Sequence, residues 1–504
     1  MKAASHRCER IVVVGAGPAG LTAAYHLSKH GHPVTVLEAD PEYVGGISRT
    51  VAYKGFHFDI GGHRFFSKSE RIEALWREIL PDDFLERPRS SRIYYAGKFF
   101  AYPLKPFQAL VSLGLFESLR CVASYAWAQL NPVRNPRNFE EWVTNQFGAR
   151  LYRIFFKTYT EKVWGMPCTE ISADWAAQRI KGVSLVSAVV NALLPSKPEG
   201  PDAIKSLIGT FRYPRKGPGM LWDACATRMQ TMGGSLRLGR RVTALTRDET
   251  SGRWVVCHEG PDGTTEQLEA DHVISSAPLR EIAHSLTPSL PAAALEAADR
   301  LSYRDFLTVA VILRDRGTFH DNWIYVHDDT VKVGRIQNFK SWSPEMIPDP
   351  SLTCYGLEYF CFEGDGLWDS SDASLVERAL TELEALGLAR RADHVDACVV
   401  RQKKAYPVYD DAYAANVQII RDALSQTHAG LHLVGRNGMH KYNNQDHAMM
   451  TGLLVAENII AGTAVHDPWR VNEDAEYHEE QRSSASVSFE VSTSGLRSVP
   501  RRAS

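Results

Sequence analysis

The hydrophobic pattern begins with a short apolar run, a glycine-rich turn and an amphipathic segment. Residues 11–14 (Ile-Val-Val-Val) predict a buried strand, residues 21–27 have helical spacing, and residues 34–37 predict a second strand that ends at Glu38. The order strand, glycine turn, helix, strand and acidic residue is typical of a βαβ unit that binds a dinucleotide. We therefore predict an α/β fold that opens with a Rossmann-type domain.

The glycines of this turn have separate roles. Gly15 permits the tight turn, Gly17 lets the backbone approach a pyrophosphate, and Gly20 lets the helix pack closely on the strand. The helix N-terminus offers free N–H groups to the phosphates. Glu38 follows Gly15 by 23 residues and can accept hydrogen bonds from ribose hydroxyls. A chance glycine turn in an ordinary α/β protein is the alternative interpretation.

The pattern after residue 100 predicts first helices and then strands. Helical spacing of apolar residues is found over 100–132, 139–190 and 374–388. Residues 235–246 and 253–257 alternate like strands, and residues 305–314, 323–326, 332–338 and 353–362 are predicted to form an antiparallel sheet. Buried strands at 271–277 and 431–435 are predicted to return to the nucleotide site, and the Pro- and Gly-containing residues 191–210 predict a loop.

A second set of glycines favours FAD over NAD as the dinucleotide. Gly45-Gly46 lies just after Glu38, and an Asp59-x-Gly61-Gly62-His63 turn follows. These turns suit a flavin that lies deep in the protein and is touched by backbone, although two surface hairpin turns would also fit. The predicted organisation is a discontinuous FAD-binding domain (1–100, 211–300 and 405–466), a mainly helical substrate domain (101–210), an antiparallel-sheet substrate domain (301–404) and a polar, disordered tail (467–504).

Composition excludes several classes of protein. With 57 Lys and Arg against 59 Asp and Glu, the net charge of −2 provides no basic field for nucleic acid. The eight cysteines include no Cys-x-x-Cys pair, so we predict reduced thiols and no metal site. No signal peptide and no integral membrane segment are expected, since the longest apolar candidate, around 107–131, is interrupted by charged residues. We therefore predict a cytoplasmic enzyme with a small-molecule substrate, and the oligomeric state stays open.

A polar segment near the C-terminus lies between a predicted strand and a predicted helix. The strand ends at Gly435, and the helix starts near Asp446 and continues through the apolar residues 448–460. The positive end of that helix dipole would face a group bound between the two elements, where a negatively charged reduced flavin would be stabilised. A helix capped by Asp446 after an ordinary loop is the alternative.

The order of these motifs resembles the FAD domain of the large family that includes amine oxidases, protoporphyrinogen oxidases and UDP-galactopyranose mutases. The later motifs resemble the UDP-galactopyranose mutases, most closely their eukaryotic-like branch, over roughly residues 10–465. Near the C-terminus the matching elements are Ala405-Tyr406-Pro407, Gly435-Arg436, Lys441-Tyr442 and Asn444-Gln445-Asp446-His447. Earlier in the chain, Lys162-Val163-Trp164 is followed by Pro167 and, fifteen residues after the Trp, by Arg179. Between them, Trp323-Ile324-Tyr325 is followed by Arg335 and by Ser343-Pro344. Thr160 and Trp342 depart from the family pattern, which leaves the sugar and the nucleotide open.

The resemblance implies a set of site residues. FAD binding is expected of Gly15, Gly17, Gly20, Glu38, Gly46, Gly62, Gly435, Arg436, Asn444 and Gln445. Substrate binding is expected of Trp164, Arg179, Tyr325, Arg335, Tyr406, Tyr442 and Asn444. Catalytic roles are expected of His63, Arg179 and Arg335, with the two arginines on the diphosphate.

The resemblance also implies a reaction. In that family the reduced flavin N5 forms an adduct with the sugar of a nucleotide sugar, and the ring recloses between pyranose and furanose forms without net redox change. Such a mutase needs an external reductant, for which NAD(P)H is the candidate. The alternatives are a redox flavoenzyme, an oxidase or desaturase of the amine-oxidase class acting on a natural product or isoprenoid, and a non-catalytic FAD-binding scaffold.

Overall fold

The computed structural model describes residues 9–104, 106–173 and 209–471 of the chain. Its strands, in chain order, are β1 (Ile11–Val14), β2 (Val34–Leu37), β3 (Thr50–Tyr53), β4 (Phe56–Asp59), β5 (Phe84–Pro88), β6 (Ser91–Tyr95), β7 (Lys98–Ala101), β8 (Thr210–Pro214), β9 (Ser235–Arg237), β10 (Arg241–Arg247), β11 (Trp254–Glu259), β12 (Thr265–Ala270), β13 (His272–Ser275), β14 (Leu286–Thr287), β15 (Tyr303–Arg314), β16 (Trp323–Val326), β17 (Arg335–Asn338), β18 (Leu352–Cys361), β19 (His394–Pro407) and β20 (Leu431–Leu433).

The helices are α1 (Pro18–Lys29), α2 (Glu70–Ile79), α3 (Pro106–Leu113), α4 (Leu115–Leu130), α5 (Phe139–Phe147), α6 (Ala149–Tyr152), α7 (Thr158–Trp164), α8 (Gly219–Thr231), α9 (Leu279–His284), α10 (Ala292–Asp299), α11 (Phe339–Trp342), α12 (Asp372–Ala385), α13 (Tyr413–Thr427), α14 (Gly435–Gly438) and α15 (Gln445–Ala461). A π-helical turn, Arg153–Lys157, joins α6 to α7, and short 3₁₀ turns lie at Gly46–Ser48, Pro344–Met346, Arg391–Asp393 and Pro468–Arg470.

The predicted Rossmann-type core is a five-stranded parallel sheet in the order β20-β13-β1-β2-β9. Its central strand is buried over all four residues, as the uninterrupted apolar run predicts for a parallel strand covered on both faces. Helices α1 and α15 pack together against this sheet in one apolar core. The register pairs Val14 with Leu37 and with Ser275, and Ser275 with Leu433, so four strands end at one edge. This edge is where open α/β sheets bind their ligands.

A second, mostly antiparallel sheet of seven strands has the order β19-β15-β18-β17-β16-β6-β7. The four strands expected over 305–362 are present in it. Strands β6 and β7 also belong to it, so this sheet takes up residues before the boundary predicted at residue 100. The reason is a parallel pairing of β6 with β16, in which Ile93 lies beside Tyr325. A four-stranded sheet, β12-β11-β10-β14, covers part of the segment 241–287.

The helical interpretation of 100–132 is partly wrong. Strand β7 occupies Lys98–Ala101, and two helices, α3 and α4, follow it with Gly114 between them at a φ of +91°. A residue with a side chain rarely adopts that backbone conformation, so the helix is interrupted there. Most of the predicted loop at 191–210 and most of the second half of the predicted helix 139–190 lie outside the described residues, and Thr210 is the first residue of β8. Within the described ranges, no helix is long and apolar enough to cross a membrane.

Candidate functional site

A cavity of about 480 Å³ extends from the carboxyl edge of the parallel sheet to the seven-stranded sheet. Most of the residues predicted for the site line it together. They are Gly15, Gly17, Glu38, Gly46, Gly62, His63, Tyr325, Arg335, Tyr406, Gly435, Arg436, Tyr442, Asn444 and Gln445. The sequence elements that contribute them are up to about 430 residues apart, so the fold, and not local sequence, assembles the site.

The glycine turn between β1 and α1 has two different steric requirements. A Cβ placed on Gly20 would lie 2.0 Å from the carbonyl oxygen of Gly15, so this glycine is needed for the packing of helix on strand. A Cβ placed on Gly17 would meet no protein atom within 4 Å, although Gly17 lines the cavity. The space beside Gly17 is therefore open to a ligand, as expected for a backbone that approaches a pyrophosphate.

Glu38 closes the other side of this turn. Its carboxylate accepts hydrogen bonds from the backbone N–H of Ala16 at 2.6 Å and of Asp40 at 2.9 Å. Burial raises the pKa of Glu38, and the two backbone bonds oppose that rise. Glu38 is thus fixed at the end of β2, where the sequence predicts the ribose-binding acid.

Helix α15 begins in the lining of the cavity. Asn444 and His447 form a capping box at its N-terminus, so Asn444, and not Asp446 as the alternative interpretation held, is the N-cap. Asp446 instead accepts a hydrogen bond from Ser67 Oγ at 3.0 Å. The first turn of α15, at Gln445, lines the cavity, and its N–H groups and dipole favour negative charge at that position.

Arg335 has a buried partner that the sequence analysis missed. Its guanidinium contacts Glu358 Oε2 at 2.5 Å, and Gln337 Nε2 donates a hydrogen bond to the same carboxylate. Glu358 is fully buried and the Arg335 side chain is 16% exposed. Burial alone would lower the pKa of Arg335, but the charge of Glu358 raises it, so Arg335 stays a cation. Its charge is therefore largely balanced before any substrate binds.

Three side chains form a stacked wall beside Arg335. The rings of Tyr406 and Tyr442 are stacked with centroids 5.8 Å apart, and the Arg436 guanidinium lies 5.0 Å and 4.8 Å from their centres. Arg436 is held by hydrogen bonds to the carbonyl oxygens of Ala405 and Asn443. A rigid, partly cationic aromatic surface of this kind suits stacking against a planar or sugar ring.

Trp164, predicted to bind substrate, does not line the cavity. It is buried behind the stacked wall, with its ring centroid 6.3 Å from that of Tyr442 and 6.5 Å from that of Tyr406. It also stacks on Tyr409 at 6.4 Å. Trp164 therefore supports the ligand-facing tyrosines from behind.

His63 lies in the cavity wall after the second glycine pair. Burial, together with the nearby charges of Arg436 and Arg335, lowers its pKa to about 3. His63 is consequently a neutral imidazole across the physiological pH range. It can exchange one hydrogen bond with a ligand through each ring nitrogen, but it does not act as a titrating acid near pH 7.

Arg64, the next residue, is the second functional candidate that the sequence analysis missed. It lines the cavity, and among residues 9–104, 106–173 and 209–471 its guanidinium makes no hydrogen bond or ion pair. Burial and the charge of Arg64 lower the pKa of Arg89, whose guanidinium lies 5.5 Å from the ring centre of Trp323. Two cations thus lie close together beside the cavity wall, an arrangement that favours an anionic ligand.

Several buried polar atoms in the cavity lining have no hydrogen-bond partner within the described part of the chain. They include His63 Nδ1, Asn437 Oδ1, Gln445 Oε1, Trp323 Nε1 and Trp342 Nε1. An unsatisfied buried polar atom costs about 1–3 kcal/mol, so such atoms are normally satisfied by a ligand or by water. Their clustering in one cavity indicates a binding site. Arg179, predicted as a diphosphate ligand, lies outside the described residues.

Comparison with known proteins identifies the family. The sequence profile described as "Flavin containing amine oxidoreductase" matches residues 18–460, which is most of the chain. The chain belongs to the flavin containing amine oxidoreductase family. The flavin expected from the second glycine set is thereby supported, and the α/β fold is the one shared by these flavoenzymes.

The chain is similar in sequence or in structure to several flavoenzymes of named activity. A Klebsiella pneumoniae protein named as a probable UDP-galactopyranose mutase is 27% identical over 177 residues, covering 33% of this chain and 44% of the relative. Human protoporphyrinogen oxidase is 26% identical over 333 residues, covering 60% and 66%. The chain thus spans less than half of the first relative it matches. The crystal structure of a reduced UDP-galactopyranose mutase superimposes with a TM-score of 0.78 at 23% identity, covering 92% of this chain and 99% of that one.

The cavity of the flavoenzyme fits FAD. The open space at Gly17 and the N-terminus of α1 would hold the pyrophosphate, and Glu38 would hold the ribose beside it. The unsatisfied atom Gln445 Oε1 and the first turn of α15 line the same cavity, where they would meet the flavin ring. The two sets of groups suit the two halves of one dinucleotide.

Asp59, which precedes the second glycine pair, is a buried acid in the flavoenzyme. It accepts hydrogen bonds from Thr50 Oγ1 at 2.8 Å and from the Tyr213 hydroxyl. Burial raises the pKa of Asp59 to about 7, and the two hydrogen bonds act against burial. The folded protein therefore holds this proton more tightly than the unfolded chain does.

This shift predicts a pH dependence of stability. The contribution of Asp59 to the free energy of unfolding is fully present below about pH 4 and is lost as pH rises towards 7. The free energy of unfolding should fall by on the order of 4 kcal/mol over this range. The Asp59→Asn variant lacks this fall, so its stability relative to wild type should increase from pH 4 to pH 7 and then level off. Urea unfolding of FAD-saturated protein measures the difference, with the exposed Asp82→Asn as control. A difference that does not change with pH would contradict the prediction.

Proposed function

We propose that this flavoenzyme is an FAD-dependent sugar-nucleotide mutase that interconverts pyranose and furanose forms of a nucleotide sugar without net redox change. The observation that carries the proposal is the joining, in one cavity, of a dinucleotide site with a cluster of arginine and tyrosine side chains. An amine or lipid pocket does not require that cluster, whereas a diphosphate leaving group does. The fold shared with a reduced UDP-galactopyranose mutase supports the same conclusion.

FAD in its reduced state would supply the nucleophile for the anomeric carbon of the sugar, and NAD(P)H is the candidate reductant. The chain's own contribution is to hold the sugar against the stacked wall of Tyr406, Tyr442 and Arg436. The neutral imidazole of His63 can accept or donate a hydrogen bond to a sugar hydroxyl without changing the charge of the site. The wall orients the sugar and excludes water from one of its faces.

The diphosphate of the substrate needs cations that are not already neutralised. Arg335 and Arg179 are the predicted ligands, but the positive charge of Arg335 is balanced by the carboxylate of Glu358. Arg64 has no such carboxylate within the described residues and lies near Arg89, so we assign the diphosphate to Arg64 in addition to Arg335. The hydroxyls of Tyr325, Tyr406 and Tyr442 are in the same cavity lining or wall and can donate to phosphate oxygens.

The Arg64→Ala variant should bind nucleotide diphosphate about 10–100-fold more weakly than wild type, because a charge-assisted hydrogen bond contributes roughly 1.5–3 kcal/mol. FAD binding should be unchanged, since Arg64 is not among the residues proposed to hold the cofactor. Calorimetric titration with UDP measures the loss, and the exposed Arg300→Ala is the matched control. Equal affinity of Arg64→Ala and wild type would remove Arg64 from the proposal.

The proposal is tested by turnover of a panel of nucleotide sugars with dithionite-reduced enzyme. Conversion of a pyranose into a furanose form, resolved by chromatography of the nucleotide sugars, is the expected result. A panel that yields no isomer, together with oxidation of an amine or lipid substrate, would reject it.

A redox flavoenzyme of the amine-oxidase class is the second candidate. The observation in its favour is the Arg335–Glu358 pair, which removes net charge from one side of the cavity and suits an uncharged substrate. The alignment with human protoporphyrinogen oxidase, over 60% of this chain, agrees with that alternative. The Arg64→Ala variant also separates the two, since an uncharged substrate would not depend on that cation.

A further inference from the structure

The most apolar exposed surface lies on helix α4, away from the cavity. Eight of the eleven large apolar side chains that are exposed in the described part of the chain lie within residues 111–133. Leu115 is 80% exposed, Leu130 78% and Trp127 70%. Isolated exposed apolar residues are ordinary, but a contiguous set of this kind marks an interaction site.

These side chains occupy one face of α4. Successive residues of an α-helix are rotated by about 100° about its axis. One arc of about 140° on α4 contains eight residues, and all eight are apolar and exposed. They are Leu115, Phe116, Leu119, Val122, Ala123, Ala126, Trp127 and Leu130. Cys121 and Ala128, the buried residues of the helix, lie on the opposite side, and Cys121 packs in a cluster with Ile154 and Phe155. A surface helix of a globular protein normally has polar residues on its outer face. Helix α4 has apolar residues there instead.

Most of the charged residues that flank this face in the sequence are cationic. Lys98, Arg120, Arg134 and Arg137 are exposed near it in sequence, and the Arg120 side chain lies at one edge of the apolar arc. The acidic residue of the helix, Glu117, is held in an ion pair by Arg150. Among the described charged side chains from Lys98 to Arg137, all except the paired Glu117 are therefore cationic.

We propose that the outer face of α4 docks on the surface of an anionic lipid bilayer, with the helix lying in the plane of the interface. Leu, Phe and Trp on one face with arginines at the edge is the pattern of interfacial helices, and a 16-residue helix is too short to span a bilayer. A second copy of the chain is disfavoured as the occupant, because a symmetric contact would bring two cationic edges together. The proposal does not depend on the proposed reaction.

Flotation of the full-length, FAD-loaded protein with lipid vesicles tests this proposal. The vesicles are phosphatidylcholine with phosphatidylglycerol at about 7:3, and phosphatidylcholine alone, each at low and high salt. We expect the wild-type protein to float with the anionic vesicles. The affinity for these vesicles should fall about tenfold or more in Leu119→Glu/Trp127→Glu. Arg120→Glu/Arg134→Glu should weaken binding mainly at low salt. The matched control is Val395→Glu/Ile419→Glu, which charges two exposed apolar residues elsewhere and should float like wild type.

Three outcomes would overturn the proposal. Wild-type protein that stays unbound with both vesicle types excludes a bilayer as the partner. A dimer that Leu119→Glu/Trp127→Glu dissociates in the absence of lipid assigns the face to a second copy. A large fall in melting temperature of Leu119→Glu alone, relative to Val395→Glu, means that the chain itself covers the face.

Discussion

Replacing Glu358 with alanine is expected to lower the free energy of unfolding by roughly 3–5 kcal/mol, since it leaves the charge of Arg335 buried without its partner. The two side chains are in contact at 2.5 Å inside the seven-stranded sheet, and Gln337 loses the acceptor for its side-chain N–H in the same variant. Urea denaturation of the FAD-saturated protein measures this loss. The cavity wall should also rearrange, so activity should fall together with stability.

Two variants make the Glu358 prediction specific. Glu296→Ala removes the carboxylate of an exposed ion pair with Arg300 and should change stability by only about 0–1 kcal/mol. Arg335→Met/Glu358→Leu removes both charges and should recover most of the stability, because no uncompensated charge remains. If Glu358→Ala were no more damaging than Glu296→Ala, the pair would not be the buried contact described above.

Replacing Gly17 with valine is expected to weaken FAD binding by about 100-fold or more, which corresponds to at least about 2.7 kcal/mol. The Cβ of the added side chain would meet no protein atom within 4 Å, and the side chain would enter the space that we assign to the pyrophosphate. FAD release is followed by flavin fluorescence during dialysis, and folding by circular dichroism.

Gly366→Val is the matched control for this change. A Cβ at Gly366 also meets no protein atom, and neither glycine has a positive φ, but Gly366 does not line the cavity. This control should keep FAD. A Gly17→Val variant that retains FAD at the wild-type level would mean that the cofactor does not lie on the turn between β1 and α1.

Local pattern was sufficient to predict the nucleotide-binding half of the fold. The strand at Ile11–Val14, the helix that begins at Pro18 and the strand that ends before Glu38 all follow from apolar periodicity and glycine spacing over a short stretch. The antiparallel strands from Tyr303 to Cys361 were likewise predicted to within a few residues, because most of them are runs rich in apolar residues. The start of the helix predicted at 100–132 was wrong, because Lys98–Ala101 pair with β6 as a strand.

The chemistry of the cavity was harder to predict because it depends on contacts between distant segments. Glu358 is a single acid within an apolar strand, and only its contact with Arg335 across the sheet makes it informative. Trp164 carries a family motif, yet its burial behind Tyr406 and Tyr442 can be seen only in the fold. Arg64 directly follows the Gly-Gly-His turn, so its place beside the cavity could have been predicted from the sequence. That it has no carboxylate partner within the described residues can be seen only in the fold.

The most direct test of the central claim counts product against reductant. The enzyme is mixed anaerobically with a nucleotide sugar that it converts, first in the oxidised state and then after addition of one equivalent of dithionite, while flavin absorbance and the sugar isomers are followed together. The account predicts no reaction in the oxidised state and, after reduction, many turnovers for each equivalent of reductant with the flavin still reduced at the end. Bleaching of the oxidised flavin by substrate alone, with one product formed per flavin until oxygen is admitted, would contradict it and establish an oxidase.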